Sequence, residues 1–161
     1  NYNILVLPDM IKYVGVNESN VDQVAQDLKS GTGSSSFKKE KIDASQIFIC
    51  AHAKKDMRCG VCGQRLYQSF AYLLPQSSIA DKKIDIRRCT HVGGHKYAGN
   101  LIIYQEHRNR KVFGDWYGYV EEKDVARLID EHLANNQIVK DLWRGRCGLS
   151  QELSEKFLQF N

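Results

Sequence analysis

Two cysteines and two histidines are the residues of this 161-residue chain whose types and spacing best suit metal chemistry. Eight residues separate Cys50 from Cys59, and three separate His91 from His95. Thiolate sulfur and imidazole nitrogen together suit zinc, copper or an iron–sulfur cluster. Because the cysteines of a structural zinc site usually lie within about four residues of each other, the wider spacing here favours a larger object, such as a two-iron cluster.

Cys62 creates a competing pattern. Cys59 and Cys62 form a Cys-x-x-Cys pair, and with the two histidines they make a Cys2His2 set for one zinc ion, although with an unusually long middle segment. The same pair is also typical of a dithiol at the start of a helix, where the helix dipole lowers the thiol pKa. The residues alone leave three hypotheses open: an iron–sulfur protein, a zinc-stabilised interaction module, and a thiol-disulfide oxidoreductase.

The remaining cysteines and histidines are predicted not to bind metal. Five cysteines cannot all pair within one chain, so a disulfide framework is not favoured. Cys89 is expected to be a small buried residue and Cys147 a free thiol, while helix packing and a thiol role are equally supported for Cys62. The other histidines are expected at a surface position beside the site, in a polar loop and on the last helix, in that order: His52, His107 and His132.

Positive charge is concentrated around these candidate ligands. The segment from Cys50 to Lys96 carries a net charge of +6, although the whole chain carries only +4. A local positive field attracts anions and acidic surfaces, so we predict a redox partner protein with an acidic surface. Nucleic acid is not favoured, because the sequence shows neither a helix-turn-helix pattern nor an aromatic RNA-binding signature.

Hydropathy bears on the compartment. No apolar run approaches the roughly 18 residues that a membrane-spanning helix needs, so no interaction with a membrane is predicted. The chain does not open with the basic and apolar segments of a secretory signal. We therefore expect a cytoplasmic protein, or a mitochondrial one if a targeting segment precedes Asn1.

The N-terminal part of the chain is predicted to differ from the rest. Residues 3–14 read as an extended segment, residues 21–28 as a short amphipathic helix, and residues 31–36 as a flexible Gly/Ser loop. We expect residues 1–45 to form a strand and helix extension that packs on a core domain, and residues 46–161 to form that domain.

The elements of the core domain must bring the cysteine and histidine pairs together. The hydrophobic pattern predicts, in order, a strand at 47–49, a helix from 64 to 75, strands at 84–86, 101–104 and 112–120, and a helix at 121–133. A crossover helix makes the first two strands parallel, and a short polar loop makes the last two antiparallel. A β-α-β unit followed by β-β-α is the arrangement of a thioredoxin-like α/β fold.

Both ligand pairs follow strands in this scheme. Cys50 ends the first parallel strand, and His91 follows the second. Sites in open α/β sheets form where parallel strands end, so one site built from both pairs is expected. Gly93 and Gly94 allow a sharp turn that would bring both imidazoles to one point.

Four segments between about Phe48 and Arg146 resemble the sucrase/ferredoxin-like family, of the fungal actin-patches-distal type. They are Ile49-Cys50-Ala51-His52, Arg58-Cys59-Gly60, the long stretch Thr90-His91-Val92-Gly93-Gly94-His95-Lys96-Tyr97-Ala98-Gly99-Asn100, and Trp116-Tyr117-Gly118-Tyr119-Val120 with the helix that follows it. The resemblance implies a thioredoxin-like ferredoxin with one [2Fe-2S] cluster. It implies that Cys50 and Cys59 bind one iron, that His91 and His95 bind the other, and that Cys62 lies outside the ligand pattern.

The ligand set implied by this resemblance has predictable chemistry. Neutral imidazoles in place of two thiolates make the cluster less negative and raise its reduction potential, as in Rieske centres. Each imidazole keeps an N–H group, so electron and proton uptake become coupled. We expect a one-electron carrier in redox homeostasis rather than an enzyme with a substrate of its own.

Overall fold

The computed structural model describes residues 1–31, 37–150, 152–153 and 156–157. The predicted Gly/Ser loop, apart from Gly31, lies outside the described residues. The chain divides into two compact units, Asn1–Asp43 and Ala44–Asn161. Within the described residues, no helix is both long enough and apolar enough to cross a membrane.

The first unit is a three-stranded antiparallel sheet with one helix. Its elements are β1 (Tyr2–Val6), β2 (Ile11–Val16), α1 (Val21–Ser30) and β3 (Lys38–Lys41). The extended segment predicted at 3–14 is therefore two strands of a hairpin, with Pro8 in the turn where it removes no ladder hydrogen bond. β3 has no apolar alternation to reveal it and pairs with β2.

The second unit is built on a five-stranded sheet in the order β5-β4-β6-β7-β8. Its strands are β4 (Ser45–Cys50), β5 (Ile84–Cys89), β6 (Leu101–Glu106), β7 (Val112–Tyr117) and β8 (Trp143–Arg146). β4 and β5 are parallel and are joined by the crossover helix α2 (Met57–Leu73), while β6 and β7 are antiparallel. The predicted thioredoxin-like order is confirmed, and β8 is an addition that the hydrophobic pattern does not indicate.

Helix α2 begins seven residues earlier than predicted. The Asp56 side chain caps it by accepting the backbone N–H of Arg58 at 2.9 Å. Gly60 and Gly63 weaken the helical pattern in the sequence, but the fold requires them, because a Cβ at Gly63 would lie 2.2 Å from the carbonyl oxygen of Cys50. The extra helical turns place Cys59 inside α2 and directly against the end of β4.

The last helical segment has three parts, a 3₁₀ turn at Glu122–Asp124, the single α-helical turn α3 (Val125–Arg127), and a π-helical stretch at Leu128–Ala134. The predicted apolar stripe is buried against the sheet: Val125, Leu128, Ile129 and Leu133. His132 lies on the same face and is fully buried. Cys50 and Cys89 lie side by side at the carboxyl ends of β4 and β5, which is where the candidate ligands are found.

Candidate metal centre

The two predicted cysteine ligands lie together. Cys50 is the last residue of β4 and Cys59 lies in the first turn of α2, and each is only 1% exposed. Burial and the Cys50 thiol, which is hydrogen-bonded to it, raise the pKa of Cys59 to about 11. Two buried thiols in contact ionise together only when a cation compensates their charge, which is what a bound metal does.

The two predicted histidine ligands also face each other. His91 follows β5, and His95 opens a 3₁₀ turn at His95–Tyr97. Their ring centroids are 5.6 Å apart with an angle of 43° between the planes. Two imidazoles that share one tetrahedral metal through bonds of about 2.1 Å have centroids about 5 Å apart. His91 Nδ1 is buried and has no hydrogen-bond partner among the described residues, as expected of a nitrogen that awaits a ligand.

Asn100 links the histidine loop to the cysteine pair. Its backbone oxygen accepts the N–H of Cys50 at 3.0 Å, and its side-chain amide donates to the carbonyl oxygen of Gly94 at 2.7 Å. The side-chain oxygen accepts the indole N–H of Trp116 at 3.3 Å. Gly94 takes the left-handed conformation, with φ +60°, that turns the loop between the two histidines.

The loop before α2 contacts the histidine pair from the other side. His52 is half-buried, and its Nδ1 accepts the backbone N–H of His91 at 3.3 Å, so this side chain supports the histidine loop. Asp56 holds Arg58 through two side-chain hydrogen bonds, and the pKa of its carboxyl falls to about 2, first because of Arg58 and in smaller part because of the nearby His95. These contacts bring the cysteine loop and the histidine loop to one end of the sheet.

The four side chains form two pairs rather than one tight group. Among the described residues, no three of their ligand atoms lie within 4.8 Å of one another. A single tetrahedral zinc ion would bring all four ligand atoms within about 4 Å of each other. The four ligand atoms are therefore not gathered around one point in this structure.

The structure also places the cysteines outside the pair. Cys62 is half-buried and, with Arg65, Val120 and Glu122 among its neighbours, lines a cavity of ≈360 Å³. The thiol that hydrogen-bonds to Cys59 is that of Cys50, which does not favour a Cys59–Cys62 dithiol. Cys89 lies beside Cys50, and burial together with that thiol raises its pKa to about 11. Cys147 is exposed, as predicted for a free thiol.

The surface around the pairs is apolar and basic. Met57, in the same helical turn as Cys59, is 70% exposed, and Tyr119 is 51% exposed. The Arg144 guanidinium lies 5.1 Å from the Tyr119 ring centroid, and the Lys96 ammonium lies 4.8 Å from that of Tyr97. His95 itself is exposed, so solvent reaches the histidine side of the site.

Comparisons with known proteins agree with this architecture. The profile of the family described as Sucrase/ferredoxin-like matches residues 1–145. The protein named "Altered inheritance of mitochondria protein 32" in Meyerozyma guilliermondii is 35% identical over 109 residues, which are 68% of this chain and 37% of that protein. The protein of the same name in Candida glabrata is 27% identical over 183 residues, which cover 92% of this chain and 56% of that protein. The chain thus spans little more than half, or less, of the length of these relatives.

Solved structures show the same fold. A thioredoxin-like [2Fe-2S] ferredoxin from Aquifex aeolicus superposes with a TM-score of 0.54 and 16% sequence identity, covering 67% of this chain and 99% of the ferredoxin. A second structure of the wild-type ferredoxin gives a TM-score of 0.51 and covers 63% of this chain and 96% of the ferredoxin.

Proposed function

The chain belongs to the sucrase/ferredoxin-like family, and from this premise we propose that it holds a [2Fe-2S] cluster and carries single electrons. One observation carries the proposal: a pair of buried thiols and a pair of imidazoles follow the carboxyl ends of the parallel strands β4 and β5, and one imidazole has a buried nitrogen with no hydrogen-bond partner among the described residues. Cysteine thiolate and histidine nitrogen are both known ligands of the irons in [2Fe-2S] clusters. In this assignment Cys50 and Cys59 hold one iron, and His91 and His95 hold the other.

When bound, such a cluster supplies a single redox-active site that accepts and returns one electron. The chain determines the conditions around it. Cys50 and Cys59 lie in the buried wall of the site, where water is excluded. His95 faces solvent, so its free ring nitrogen is placed to exchange a proton with water. Neutral imidazole ligands raise the reduction potential relative to four thiolates, and their N–H groups couple it to pH.

Anaerobic purification tests the cluster directly. We expect a reddish-brown protein with about two iron and two sulfide per chain. Cys50→Ser and Cys59→Ser should each abolish the visible spectrum, whereas Cys147→Ser, at an exposed position, should leave it unchanged. A colourless wild-type protein that contains one zinc ion would contradict the assignment and favour the zinc module.

The proposal includes an acidic-surfaced redox partner. Exposed Met57 and Tyr119 beside the site offer the apolar contact of a docking face, and basic side chains surround it. A positive field of this kind raises the rate of encounter with negative partners and weakens with salt. Lys55 is exposed in the loop between Cys50 and Cys59. Lys55→Glu should therefore slow oxidation of the reduced protein by ferricyanide and speed oxidation by cobalt hexaammine, while Lys111→Glu, at an exposed position in the loop between β6 and β7, should change both rates much less. Equal effects of the two variants would contradict a local field.

The cellular compartment is inferred from the names of the fungal relatives. The name of the fungal relatives refers to inheritance of mitochondria, which favours the mitochondrial alternative over the cytoplasm predicted from sequence. Fractionation of cells that express the full-length tagged protein decides between the two compartments.

A further inference from the structure

A second group of potential ligands lies around β6 and β7. His107 follows β6, Asp115 lies in β7 and His132 lies in the last helical segment. One ligand atom from each lies within 4.8 Å of the other two. Asp115 pairs with Ile103 near the middle of β6, and His107 follows the end of β6 that is farther from Cys50. The group shares no residue with the cysteine and histidine pairs and is a separate set of potential ligands.

Two nitrogens of this group have no partner. The Nε2 atoms of His107 and His132 are both buried, and neither forms a hydrogen bond within the described residues. His107 Nε2 lies 3.9 Å from the nearer Asp115 oxygen, too far for a hydrogen bond. A buried polar nitrogen without a hydrogen-bond partner is unfavourable. Two such nitrogens, in residues whose ligand atoms lie within 4.8 Å of a buried carboxylate oxygen, indicate a shared ligand.

The imidazoles are prepared to bind a cation. Burial lowers the pKa of His132 to about 4 and also lowers the pKa of His107, so both rings are neutral near pH 7. The Tyr117 hydroxyl oxygen lies 2.6 Å from His132 Nδ1. In the tautomer whose Nδ1–H donates to Tyr117, the lone pair of Nε2 is free for a metal, which is the arrangement common to histidine ligands.

The carboxylate of Asp115 is fixed by a cation and an indole. Arg146 donates to both oxygens of Asp115 at 2.9 and 3.0 Å, and the Trp143 indole N–H donates to Oδ1 at 2.8 Å. Oδ2, which accepts one of the Arg146 bonds, also lies 3.9 Å from His107 Nε2. Because Arg146 already offsets the carboxylate charge, a metal here depends mainly on the two imidazoles, which favours a metal that prefers nitrogen to oxygen ligands.

We propose that His107, Asp115 and His132 form a binding site for a divalent transition metal, and that Zn²⁺ is the metal bound there in the cell. A cavity of ≈410 Å³ reaches the group on the side of His107 and is also lined by Arg146 and Lys140. The proposal is independent of the cluster. The positive charges of Arg146 and Lys140 make the site weaker than one with an unpaired carboxylate.

Equilibrium dialysis of the cluster-loaded protein against Zn²⁺, followed by metal analysis, tests this site. We expect one zinc per chain in addition to the cluster iron, loss of that zinc in His107→Gln, and its retention in Glu106→Gln, an exposed neighbour. His107 is the less buried histidine, so its replacement is the variant expected to stay folded, and unfolding curves of both variants verify this. Wild-type protein that retains no zinc, or a His107→Gln variant that is folded and retains it, would overturn the proposal. If the wild type retains no zinc, the group of His107, Asp115 and His132 binds only water.

Cobalt separates this site from the first one. The Cys50→Ser/Cys59→Ser double variant should still bind one Co²⁺, with d–d absorption bands but without the charge-transfer bands of thiolate ligands. This result is expected even if the chain carries no cluster. Loss of all cobalt binding in the double variant would assign the metal to the cysteine pair and would refute the second site.

Discussion

Replacing Asn100 by leucine tests whether one buried amide holds the two halves of the metal centre together. Leucine has a similar volume but removes the donor to the Gly94 carbonyl, at 2.7 Å, and the acceptor of the Trp116 indole, at 3.3 Å. The backbone bond from Asn100 to Cys50 remains. Both partners are half-buried, so leaving each unpaired costs toward the lower end of about 1–3 kcal/mol, and the free energy of unfolding should fall by about 2 kcal/mol.

Two measurements separate this effect from a general loss of stability. Urea unfolding gives the change in free energy, and the rate at which a chelator removes iron from the folded protein reports how firmly the histidine loop is held. Iron release should be faster in Asn100→Leu than in Asn135→Leu, where an exposed amide loses a single bond to the Asp130 carbonyl and about 0.5 kcal/mol or less is expected. Trp116→Phe removes only the longer of the two Asn100 bonds, so its iron-release rate should lie between those of the Asn100 and Asn135 variants. Equal stability and equal iron release in the Asn100 and Asn135 variants would refute the reasoning.

Three further predictions follow from the site and its supports. Cys62→Ser should retain the cluster spectrum that Cys59→Ser loses, since Cys62 faces a separate cavity, and equal loss in both variants would show that the ligand assignment is wrong. Gly63→Ala should destabilise the fold or displace α2, because the new Cβ would lie 2.2 Å from the carbonyl oxygen at the end of β4; a wild-type urea midpoint would contradict this close approach. The reduction potential should fall with rising pH by up to about 59 mV per unit, and replacing His91 and His95 together by cysteine should lower the potential and remove most of the pH dependence. Voltammetry of the wild type and the double variant measures both effects, and a flat wild-type profile would mean that the histidine ring nitrogens do not exchange protons.

The sequence was sufficient for the order of elements in the second unit. Apolar runs at residues 47–49 and 101–104 predicted β4 and β6, and the periodic apolar face of Leu66 and Phe70 predicted α2. The parallel pairing of β4 and β5 then followed from the crossover helix. Elements without such a pattern were missed: β3 is entirely charged, and β8 has the sequence Trp-Arg-Gly-Arg. Both strands are stabilised by pairing with a neighbour, which a local pattern does not contain.

The chemistry of the candidate ligands could be predicted from the sequence, because residue type and spacing limit which metals a loop can hold. The hydrogen bonds that position these ligands could not be predicted, because Asn100 and His52 bond to residues that come close to them only after folding. The same reason explains why the sequence did not predict the grouping of His107 and His132, which it places in a polar loop and on a helix. Their side chains converge on Asp115 only because β6, β7 and the last helical segment pack together. Local sequence therefore determined the ligand types and the strands that carry them, while the burial and mutual distances of these side chains were decided by the packing of segments far apart in the chain.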